Sequence, residues 1–596
     1  MYDKKKIRIG CASAFWGDTS TAAKQLVQQG DLDYLVFDFL AEVTMSILAG
    51  AKMKNPDMGY ATDFVKQIGP LLGQVKEKKI KILSNAGGIN PDACKIILQS
   101  NAKNMGIKLN IAVVSGDNLT SQLSILKEEG ITEMESNDPL PDSCLSINAY
   151  LGAPGIVKAL EQGADIVITG RCVDSALVLA PLMYEFNWNE ADYDLLSSGS
   201  LAGHIIECGA QCTGGNFTDW EKVQGFDDMG FPFVDVFPNG EFIVSKPKGT
   251  GGMVTFGTVA EQFLYEIGNP AEYILPDVVC NFTEVTIDDL GSDQVMVKGA
   301  KGFPPTDHYK VSATYMNGYR IAGTLVIGGK NAKRKGKIIA EAILKKCSRI
   351  LKENDYTPFT NTSYDLLGSD SIYGSKQSRV NSKEIVLRVL ARHPKKKALI
   401  IVSREMAQAA TGMAAGVMNY LGGRPPVSPS IHLFSFLLRK DQIDIKMDIN
   451  GKSISIYPKT NGGYNASIAK KDSDTNKTIE TEFYTPLINL AYARSGDKGD
   501  HANIGVIARK PHYFPFIDSA LSTDSTSHYF RHVLKGHVLK WKVPGINGIN
   551  FLLKNSLGGG GMASLNIDPQ GKCYAQQLLE YPVPVSKEIL KEIEKQ

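Results

Sequence analysis

The chain has 596 residues, of which 65 are basic and 63 acidic, so its formal net charge at pH 7 is only +2. At roughly 150 residues per domain, this length predicts about two to four domains. The balanced charge argues against a dedicated nucleic-acid binder, which needs a concentrated basic surface. The sequence contains no run of about 18 apolar residues, so no membrane span is predicted.

Cysteine usage and the start of the chain bear on the compartment. The chain has 9 cysteines, and this odd number leaves at least one thiol unpaired in any intramolecular scheme. Residues 1–10 contain neither an apolar stretch of signal-peptide length nor a small-residue cleavage site. Both features are typical of a reducing compartment, so we expect a cytoplasmic protein without disulfides.

Residues 1–190 are predicted to form a parallel α/β domain. Short β-rich runs at 6–11, 34–39, 79–83, 109–114 and 164–169 alternate with amphipathic helical patterns. This order predicts right-handed crossovers and a parallel sheet with flanking helices.

Loops rich in small and polar residues follow four of these predicted strands. In a parallel sheet the carboxyl ends of the strands meet at one edge, where ligands are usually bound. We therefore expect the loops to converge on one cleft and to contribute the candidate ligands Asp18, Asn85, Gly87, Gly88, Asp117, Arg171 and Asp174.

Each of these candidates also has a structural interpretation. Arg171 could clamp a carboxylate or phosphate while Asp174 orients it or moves a proton, or the two could form an ion pair that caps the next helix. Asp18 and Asn85 are residue types that also stabilise turns. The glycine pair at 87–88 would allow a close backbone approach, although two glycines alone are a weak signal.

Residues 191–470 are predicted to form an α+β domain. A basic helix is expected over 331–353, and a β-α-β unit is expected from a strand at 398–403, a helix at 404–421 and a strand at 430–438. The polar stretch 470–481 is predicted to be an exposed linker to a small α+β domain over 482–596.

The glycine-rich stretch 203–215 holds the leading catalytic candidates. His204, Glu207 and Cys208 are three side chains able to move protons or attack a carbonyl, within five residues of each other. His204, Cys208 and Cys212 are spaced four residues apart, so on a helix they would share one face and could bind a soft metal ion. The glycines of this stretch argue against a helix. Buried cysteines and a histidine beside a cleft remain the structural alternative.

Two further loops are candidate binding segments. Lys248, Gly251 and Gly252 precede a predicted helix over 254–265 and could hold an anion, or form an ordinary turn. The loop lacks the ending of a Walker motif, and no dinucleotide fingerprint follows the first strand. In the last domain, Arg494, Asp497 and Lys498 lie in a compact polar stretch that suits binding, a domain interface or a solvated turn.

Several stretches together resemble the acyclic terpene utilisation (AtuA-like) family. They are residues 30–37 (GDLDYLVF), 85–88 (NAGG), 169–174 (TGRCVD), 203–209 (GHIIECG) and 493–500 (ARSGDKGD). The resemblance implies an AtuA region to about residue 460, followed by a ferredoxin-fold domain. It also implies a place in the breakdown of acyclic terpenoids through CoA thioesters.

From the residues and this resemblance we expect a lyase or hydratase of branched-chain or terpenoid acyl-CoA catabolism. A general base would draw a proton from a hydroxyl or an α-carbon, and backbone amides and Arg171 would stabilise an oxyanion. The sequence requires no cofactor, and CoA would enter as part of the substrate. We expect a small-molecule substrate and a homo-oligomer, with no nucleic-acid or membrane partner. The alternative is a noncatalytic assembly or substrate-carrier protein for a partner carboxylase or hydratase.

Overall fold

The computed structural model of the chain describes residues 6–376, 382–420, 422–458, 463–465 and 482–595. The linker predicted over 470–481 lies outside the described residues. Within the described ranges, no helix is both long and apolar enough to cross a bilayer. All the cysteines of the chain are free thiols.

The first part of the chain alternates strands and helices. Its strands are β1 (Ile7–Cys11), β2 (Tyr34–Phe37), β3 (Lys81–Ser84), β4 (Ile111–Ser115), β5 (Ser146–Ala149) and β6 (Ile166–Thr169). Its helices are α1 (Ala22–Gln29), α2 (Glu42–Lys54), α3 (Thr62–Ile68), α4 (Leu72–Glu77), α5 (Pro91–Asn104), α6 (Leu123–Glu128), α7 (Pro154–Glu161) and α8 (Ala176–Phe186). All the strands predicted here are confirmed.

Five of these strands form the parallel centre of the main sheet, in the order β1-β2-β3-β6-β4. Their apolar side chains are buried on both faces, as Ile9, Leu35 and Val167 illustrate. Because the strands are parallel, their carboxyl ends lie along one edge of the sheet.

The middle of the chain adds mixed α and β structure. Its elements are α9 (Tyr193–Ile206), β7 (Phe233–Val236), β8 (Phe242–Ser245), α10 (Phe256–Leu264), β9 (Tyr273–Ile274), β10 (Val279–Asn281), β11 (Thr286–Gly291), β12 (Gln294–Lys298), β13 (Lys301–Phe303), β14 (His308–Gly328), α11 (Ala332–Glu353), β15 (Asn361–Leu367), β16 (Glu384–His393), α12 (Lys396–Glu405), α13 (Ala409–Gly412), β17 (Val417–Tyr420), β18 (Val427–Arg439), β19 (Ile445–Ile449) and β20 (Lys452–Ile456). Antiparallel strands extend the main sheet to the order β11-β12-β8-β7-β1-β2-β3-β6-β4-β19-β20.

A second sheet is built around the long strand β14. It has the order β15-β16-β14-β17, and β18 and β5 also pair with β14. Helices α11 and α12 cover one face, where Ile339 and Leu399 pack against Leu387 and Val389. Since β5 belongs to the first part of the chain, this pairing fixes the second sheet against the main one.

The strand predicted at 398–403 is wrong, because this segment is the middle of helix α12. Its β-branched run suggested a strand. However, its buried residues Ala398, Leu399, Val402 and Ser403 recur with the helical period and face the second sheet. The helix predicted over 404–421 is likewise broken into a short turn, α13 and β17.

The carboxy-terminal domain is a small α+β unit. Its elements are β21 (Phe483–Pro486), β22 (Ala491–Lys498), β23 (His501–Ala508), α14 (Phe514–Ala520), α15 (Thr523–Tyr529), β24 (Val538–Val543), β25 (Gly548–Leu553), α16 (Tyr574–Leu578), β26 (Pro582–Val585) and α17 (Lys587–Ile593). Strands β22-β23-β25-β24 form an antiparallel sheet, and helices pack on it through Ile504, Phe551 and Phe530.

Two buried asparagines fasten this sheet to the end of α10. Asn503 Nδ2 donates to the Leu264 carbonyl at 2.7 Å and to Asn550 Oδ1 at 2.9 Å, and its Oδ1 accepts from the Glu266 amide at 2.8 Å. Asn550 Nδ2 in turn donates to the Ile267 carbonyl at 2.8 Å. The segment after α10 is therefore held in place by the carboxy-terminal domain.

The Asn503→Ala variant tests this attachment. We expect its free energy of unfolding to fall by at least about 2 kcal/mol, because the change leaves buried donors and acceptors unpaired. Chemical denaturation measures the loss. The exposed Asn104→Ala change, at the end of α5, is the control and should stay within about 0.5 kcal/mol of the parent chain. Equal stability of the two variants would show that the asparagine contacts do not hold the domains together.

Candidate active site

The candidate active site lies at the carboxyl edge of the parallel strands. Asp38 directly follows β2, Asn85 follows β3, Asp117 follows β4, and Arg171 and Asp174 follow β6. Asp38, Asn85, Asp117 and Arg171 are buried. Buried polar groups need partners, and here they find them largely in one another.

Asn85 and Asp117 hold the charged groups of the site in position. Asn85 Nδ2 donates to Asp38 Oδ1 at 2.5 Å, and Asn85 Oδ1 accepts from the Phe39 amide at 2.8 Å. Asp117 Oδ2 accepts from the Arg171 amide and from Asn148 Nδ2, both at 2.8 Å. Burial raises the pKa of Asp117 to about 6. These two candidate ligands are thus supports for Asp38 and Arg171.

Arg171 is the central cation of the site and is only 5% exposed. Its Nη1 donates to Asp174 Oδ1 at 2.6 Å and to the Cys172 carbonyl at 3.1 Å. The guanidinium carbon lies 4.3 Å from the centroid of the Tyr150 ring. Its Nε is buried with no hydrogen-bond partner among the described residues, which leaves this donor for a ligand.

A small polar pocket lies beside Arg171. The Oδ1 atom of Asn148, in its wall, is also buried and unpaired. The pocket is lined by Glu42, Met45, Ser146, Asn148, Tyr150, Arg171, Ser312 and Thr314. It therefore combines an unpaired donor, an unpaired acceptor and several hydroxyl groups, a set that suits a small polar group.

Glu42 and Lys310 place opposite charges at this pocket. Burial tends to raise the pKa of Glu42, but Lys310 and Arg171 outweigh it and hold that pKa at about 2. The Tyr150 hydroxyl donates to Glu42 Oε1. Burial lowers the pKa of Lys310, while Glu42 opposes this change. Glu42 is therefore ionised at neutral pH.

His204 lies in the last turn of α9 and Glu207 directly after it. The exposed fractions of their side chains are 3% and 16%. His204 Nε2 lies 3.1 Å from the Phe263 carbonyl oxygen, and Nδ1 lies 3.1 Å from Glu207 Oε1. Burial and the charge of Lys498 lower the pKa of His204 to about 4, so the imidazole is neutral.

This geometry assigns the proton between His204 and Glu207. The Phe263 carbonyl can only accept, so His204 carries its hydrogen on Nε2, and Nδ1 is left as an acceptor. Burial and the charges of Asp174 and Glu266 raise the pKa of Glu207 well above its usual range. Glu207 is therefore a neutral acid whose hydroxyl donates to His204, and it is the member of the pair nearer to solvent.

Cys208 and Cys212 are weakly placed as nucleophiles or metal ligands. Burial raises the pKa of Cys208 well above its usual range. The Cys212 thiol donates to the Gly209 carbonyl at 3.6 Å, and both His204 nitrogens are bonded within the protein. No group of three or more potential ligands suits a metal ion in the part of the chain that the structure describes.

The carboxy-terminal domain supplies a cation to the same site. Lys498 ends β22 at a tight turn, and its Nζ lies 5.2 Å from the centroid of the Tyr273 ring. Lys498 is exposed to solvent, and its neighbours Tyr273, Glu266 and Glu207 raise its pKa. Burial raises the pKa of Tyr273 to about 12. The site is thus composed of residues from both domains.

Asp497 joins a charged group beside this cation. Burial and the charge of Glu266 raise the pKa of Asp497 to about 6. Lys572 Nζ lies 3.5 Å from Glu266 Oε1 and 3.3 Å from Asp497 Oδ1. Asp497 and Lys572 therefore form the rim of the site next to Lys498.

Four of the predicted binding residues have local structural roles instead. Asp18 Oδ2 accepts from the Ala14 amide at 3.0 Å and closes its own turn. A Cβ at Gly87 would lie 2.5 Å from the Thr169 carbonyl, so this glycine lets two strand ends pack together. Gly88 has a φ of +55°, a backbone conformation that glycine adopts readily. Arg494 donates to the carbonyls of Gly215 and Asn216, and so joins the two domains.

At the loop of Lys248, Gly251 and Gly252, both glycine amides donate to carbonyls of the chain. Lys248 is exposed, and the amide of Gly251 donates to the Asp228 carbonyl at 2.7 Å while that of Gly252 donates to the Gln224 carbonyl at 2.7 Å. At the start of α10, the Phe256 amide already donates to Asp289 Oδ2 at 3.1 Å. The chain's own acceptors therefore occupy the amides of this loop and of this helix start.

Sequence reasoning missed six residues of the site. They are Asp38, Glu42, Tyr150, Glu266, Tyr273 and Lys310. Asp38 is the one charged residue inside the strand predicted over 34–39, near its carboxyl end, and so could have been found. Lys310, Ser312 and Thr314 alternate along β14, a period-two polar pattern that marks one face of a strand.

Two protein-family models match the chain, one over each of the two regions that contribute residues to the site. The family model described as acyclic terpene utilisation family protein AtuA matches residues 7–449. The model described as AtuA ferredoxin-like domain matches residues 485–584. The resemblance noted in the sequence is thereby confirmed. No curated protein and no solved structure is significantly similar to the chain.

Histidine titration followed by NMR tests the protonation state of the buried pair. We expect His204 to stay neutral until the pH falls to about 4, and its signal to be absent from the spectrum of His204→Gln. The ordinary pKa of 6.5 applies in the unfolded chain, which therefore takes up the proton first. The contribution of His204 to stability is thus present above pH 6.5 and is lost as the pH falls towards 4. Titration near the ordinary value would mean that Glu207 is ionised at neutral pH.

Proposed function

Because the chain belongs to the acyclic terpene utilisation family, we propose that it is an enzyme that breaks down acyclic terpenoid or branched-chain acyl-CoA thioesters. We assign it a lyase or hydratase reaction that uses general acid–base chemistry. One observation carries this assignment: an acid with a raised pKa, Glu207, and an Arg171-paired carboxylate, Asp174, are close enough for their charges to interact.

Glu207 is the acid in this proposal. Its raised pKa keeps the proton at neutral pH, which is the state a group needs in order to protonate a leaving hydroxyl. His204 touches Glu207 and not the solvent, so it is a positioning residue that holds the acid until the Glu207 hydroxyl turns from Nδ1 to the leaving group. Cys208 lines the cleft as a neutral thiol.

Asp174 is the base. Burial raises its pKa, although Arg171 partly offsets this, so its carboxylate is a stronger base than an exposed aspartate. Its side chain is 30% exposed and thus accessible to a substrate. In the dehydration direction, Asp174 takes the proton of the α-carbon, the electron pair forms the double bond, and the β-hydroxyl takes a proton from Glu207 and leaves as water. Hydration is the reverse.

The cations bind the groups that become negative. Arg171 has a free Nε beside the polar pocket, and Lys498 faces Glu207 from the other domain. A thioester oxygen or a substrate carboxylate between them would be stabilised most strongly as its charge grows. Because Asp174 and the Cys172 carbonyl hold the guanidinium and Asp117 holds its backbone, this donor needs little reorganisation when the substrate binds.

We also place the reaction in a reducing compartment, the cytoplasm. The support is that every cysteine is a free thiol, and that Cys11, Cys94, Cys172, Cys212, Cys280 and Cys347 are buried in the fold. A homo-oligomer remains part of the proposal.

Conservative changes at the acid and the base test the mechanism. We expect Glu207→Gln and Asp174→Asn each to lower kcat by ~10²-fold or more, the usual scale for a lost general acid or base. The rate of hydration of terpenoid enoyl-CoA thioesters is measured from the decrease in absorbance of the conjugated thioester. The control is Glu221→Gln, a change at an exposed carboxylate, which should leave kcat unchanged. Thermal unfolding confirms that each variant is folded.

The same assay separates the enzyme from the carrier. A protein that binds these thioesters but turns none of them over would support the assembly or carrier function instead. Retained turnover in both variants would move the chemistry away from Glu207 and Asp174.

A Lys498→Met variant tests whether the carboxy-terminal domain takes part in the reaction. We expect kcat to fall by ~10²-fold or more, because a cation is lost that would oppose the charge developing on the substrate. The pKa of His204 should rise in the same variant, since the charge of Lys498 helps to lower it. Lys535→Met, at an exposed lysine of the same domain, is the control. A fall in stability alone, with no change in either readout, would assign Lys498 a structural role.

A further inference from the structure

Three arginines lie side by side on one face of the second sheet, away from the acid and base. Arg320 on β14 lies directly opposite Arg392 on β16, and Arg388 precedes Arg392 by four residues on the same strand. Alternate residues of a strand share a face, so all three side chains project from the same side of the sheet. We call this group the arginine cluster.

Neutral donors flank the cluster in the same register. Asn361 lies opposite Arg392, and Ser428 lies opposite Arg320, so a row of four donor side chains crosses four adjacent strands. Asn361 and Ser428 are exposed, and the arginines are half-buried. The row can therefore be reached from solvent.

The cluster lacks enough acceptors for its guanidinium groups. Arg388 is paired with Asp365 at 3.0 Å and also donates to the Leu565 carbonyl at 3.1 Å. Arg320 donates to the carbonyls of Met562 and Ser564. In contrast, Nε and Nη2 of Arg392 are buried with no hydrogen-bond partner in the described part of the chain. A buried charged donor without an acceptor is costly, which points to a missing anion.

The charges of the cluster act against one another. Burial lowers the pKa of Arg392, and the charge of Arg320 lowers it further. Burial and then the charge of Arg388 lower the pKa of Arg320. His432 faces the same group, and burial and Arg392 lower its pKa to about 4. Asp365 is the carboxylate paired with the cluster, so an added anion would relieve this repulsion.

A short segment joins the cluster to the active site. At one end, Gly560 packs so closely on the Gly499 carbonyl that a side chain would not fit, and Gly499 follows Lys498. A Cβ at Gly561 would lie 3.7 Å from Val43, the residue after Glu42. At the other end, the Met562 carbonyl accepts from Arg320. The cluster therefore lies beside the mouth of the cleft.

We infer that the arginine cluster binds a phosphate group, and that this phosphate belongs to the CoA part of the thioester substrate. This inference rests on the proposed function. Arginine forks match phosphate oxygens, and Arg392 offers two donors for them. The acyl end would then lie in the cleft while the phosphorylated end is held at the second sheet.

Calorimetric titration of the full-length protein tests this inference. The probes are CoA, dephospho-CoA, which lacks the 3′-phosphate, and inorganic phosphate. We expect Arg392→Gln to weaken CoA binding by ~10-fold or more, as befits the loss of charge-assisted hydrogen bonds, and Arg392→Lys to retain part of the affinity. The control is Arg334→Gln, an exposed arginine on α11, on the opposite face of the sheet. Thermal unfolding of each variant shows whether it is folded.

The arms of this experiment identify the source of the phosphate and separate the two proposals. A larger effect on CoA than on dephospho-CoA assigns the site to the 3′-phosphate, and an equal effect assigns it to the pyrophosphate. If phosphate binds in an Arg392-dependent way but CoA does not bind at all, the anion site is supported and the acyl-CoA function is overturned. Binding of both CoA and phosphate to Arg392→Gln with parental affinity would overturn the anion site.

Discussion

The buried charge of Arg171 is the constraint on which the candidate active site depends. A guanidinium does not lose its proton in a protein, so a side chain that is 5% exposed must be surrounded by acceptors. Asp174, Glu42 and the Tyr150 ring supply them, and Asp117 fixes the backbone that carries the arginine. Once these carboxylates are gathered around one cation, burial, and after it their mutual repulsion, raises the pKa of a further carboxyl beside them. Glu207 is such a group.

The site is completed across a domain boundary. The main sheet by itself gathers more carboxylates than cations at its carboxyl edge, and Lys498 enters from the carboxy-terminal domain to oppose them. That lysine affects both members of the buried pair, since it lowers the pKa of His204 and acts against the raised pKa of Glu207. This dependence gives a physical reason for the two matched family regions to occur in one chain.

The strand-end rule predicted the parallel sheet and placed Arg171 and Asp174 at its functional edge. Local sequence patterns carry this information, because a buried strand followed by a polar loop is visible in a window of a few residues. Lys310 and Glu42 could not be found in this way. Lys310 reaches the site only because β14 pairs with β5, and Glu42 only because α2 begins there, both of which are long-range outcomes of folding. Likewise, the charge density around Lys498 suggested a functional turn but could not indicate which domain it would face.

Glycines determine how accurately the second domain delivers its lysine. A Cβ at Gly496 would lie 2.5 Å from Cε2 of Tyr265, and one at Gly505 would lie 2.5 Å from the Cβ of Leu264. Strands β22 and β23 therefore contact the end of α10 at backbone distance, where no larger residue fits. Asn503 bonds to the same segment from between these two positions. A hairpin held this closely cannot tilt by much without breaking buried hydrogen bonds, so the position of Lys498 follows from packing that lies well away from its own charge.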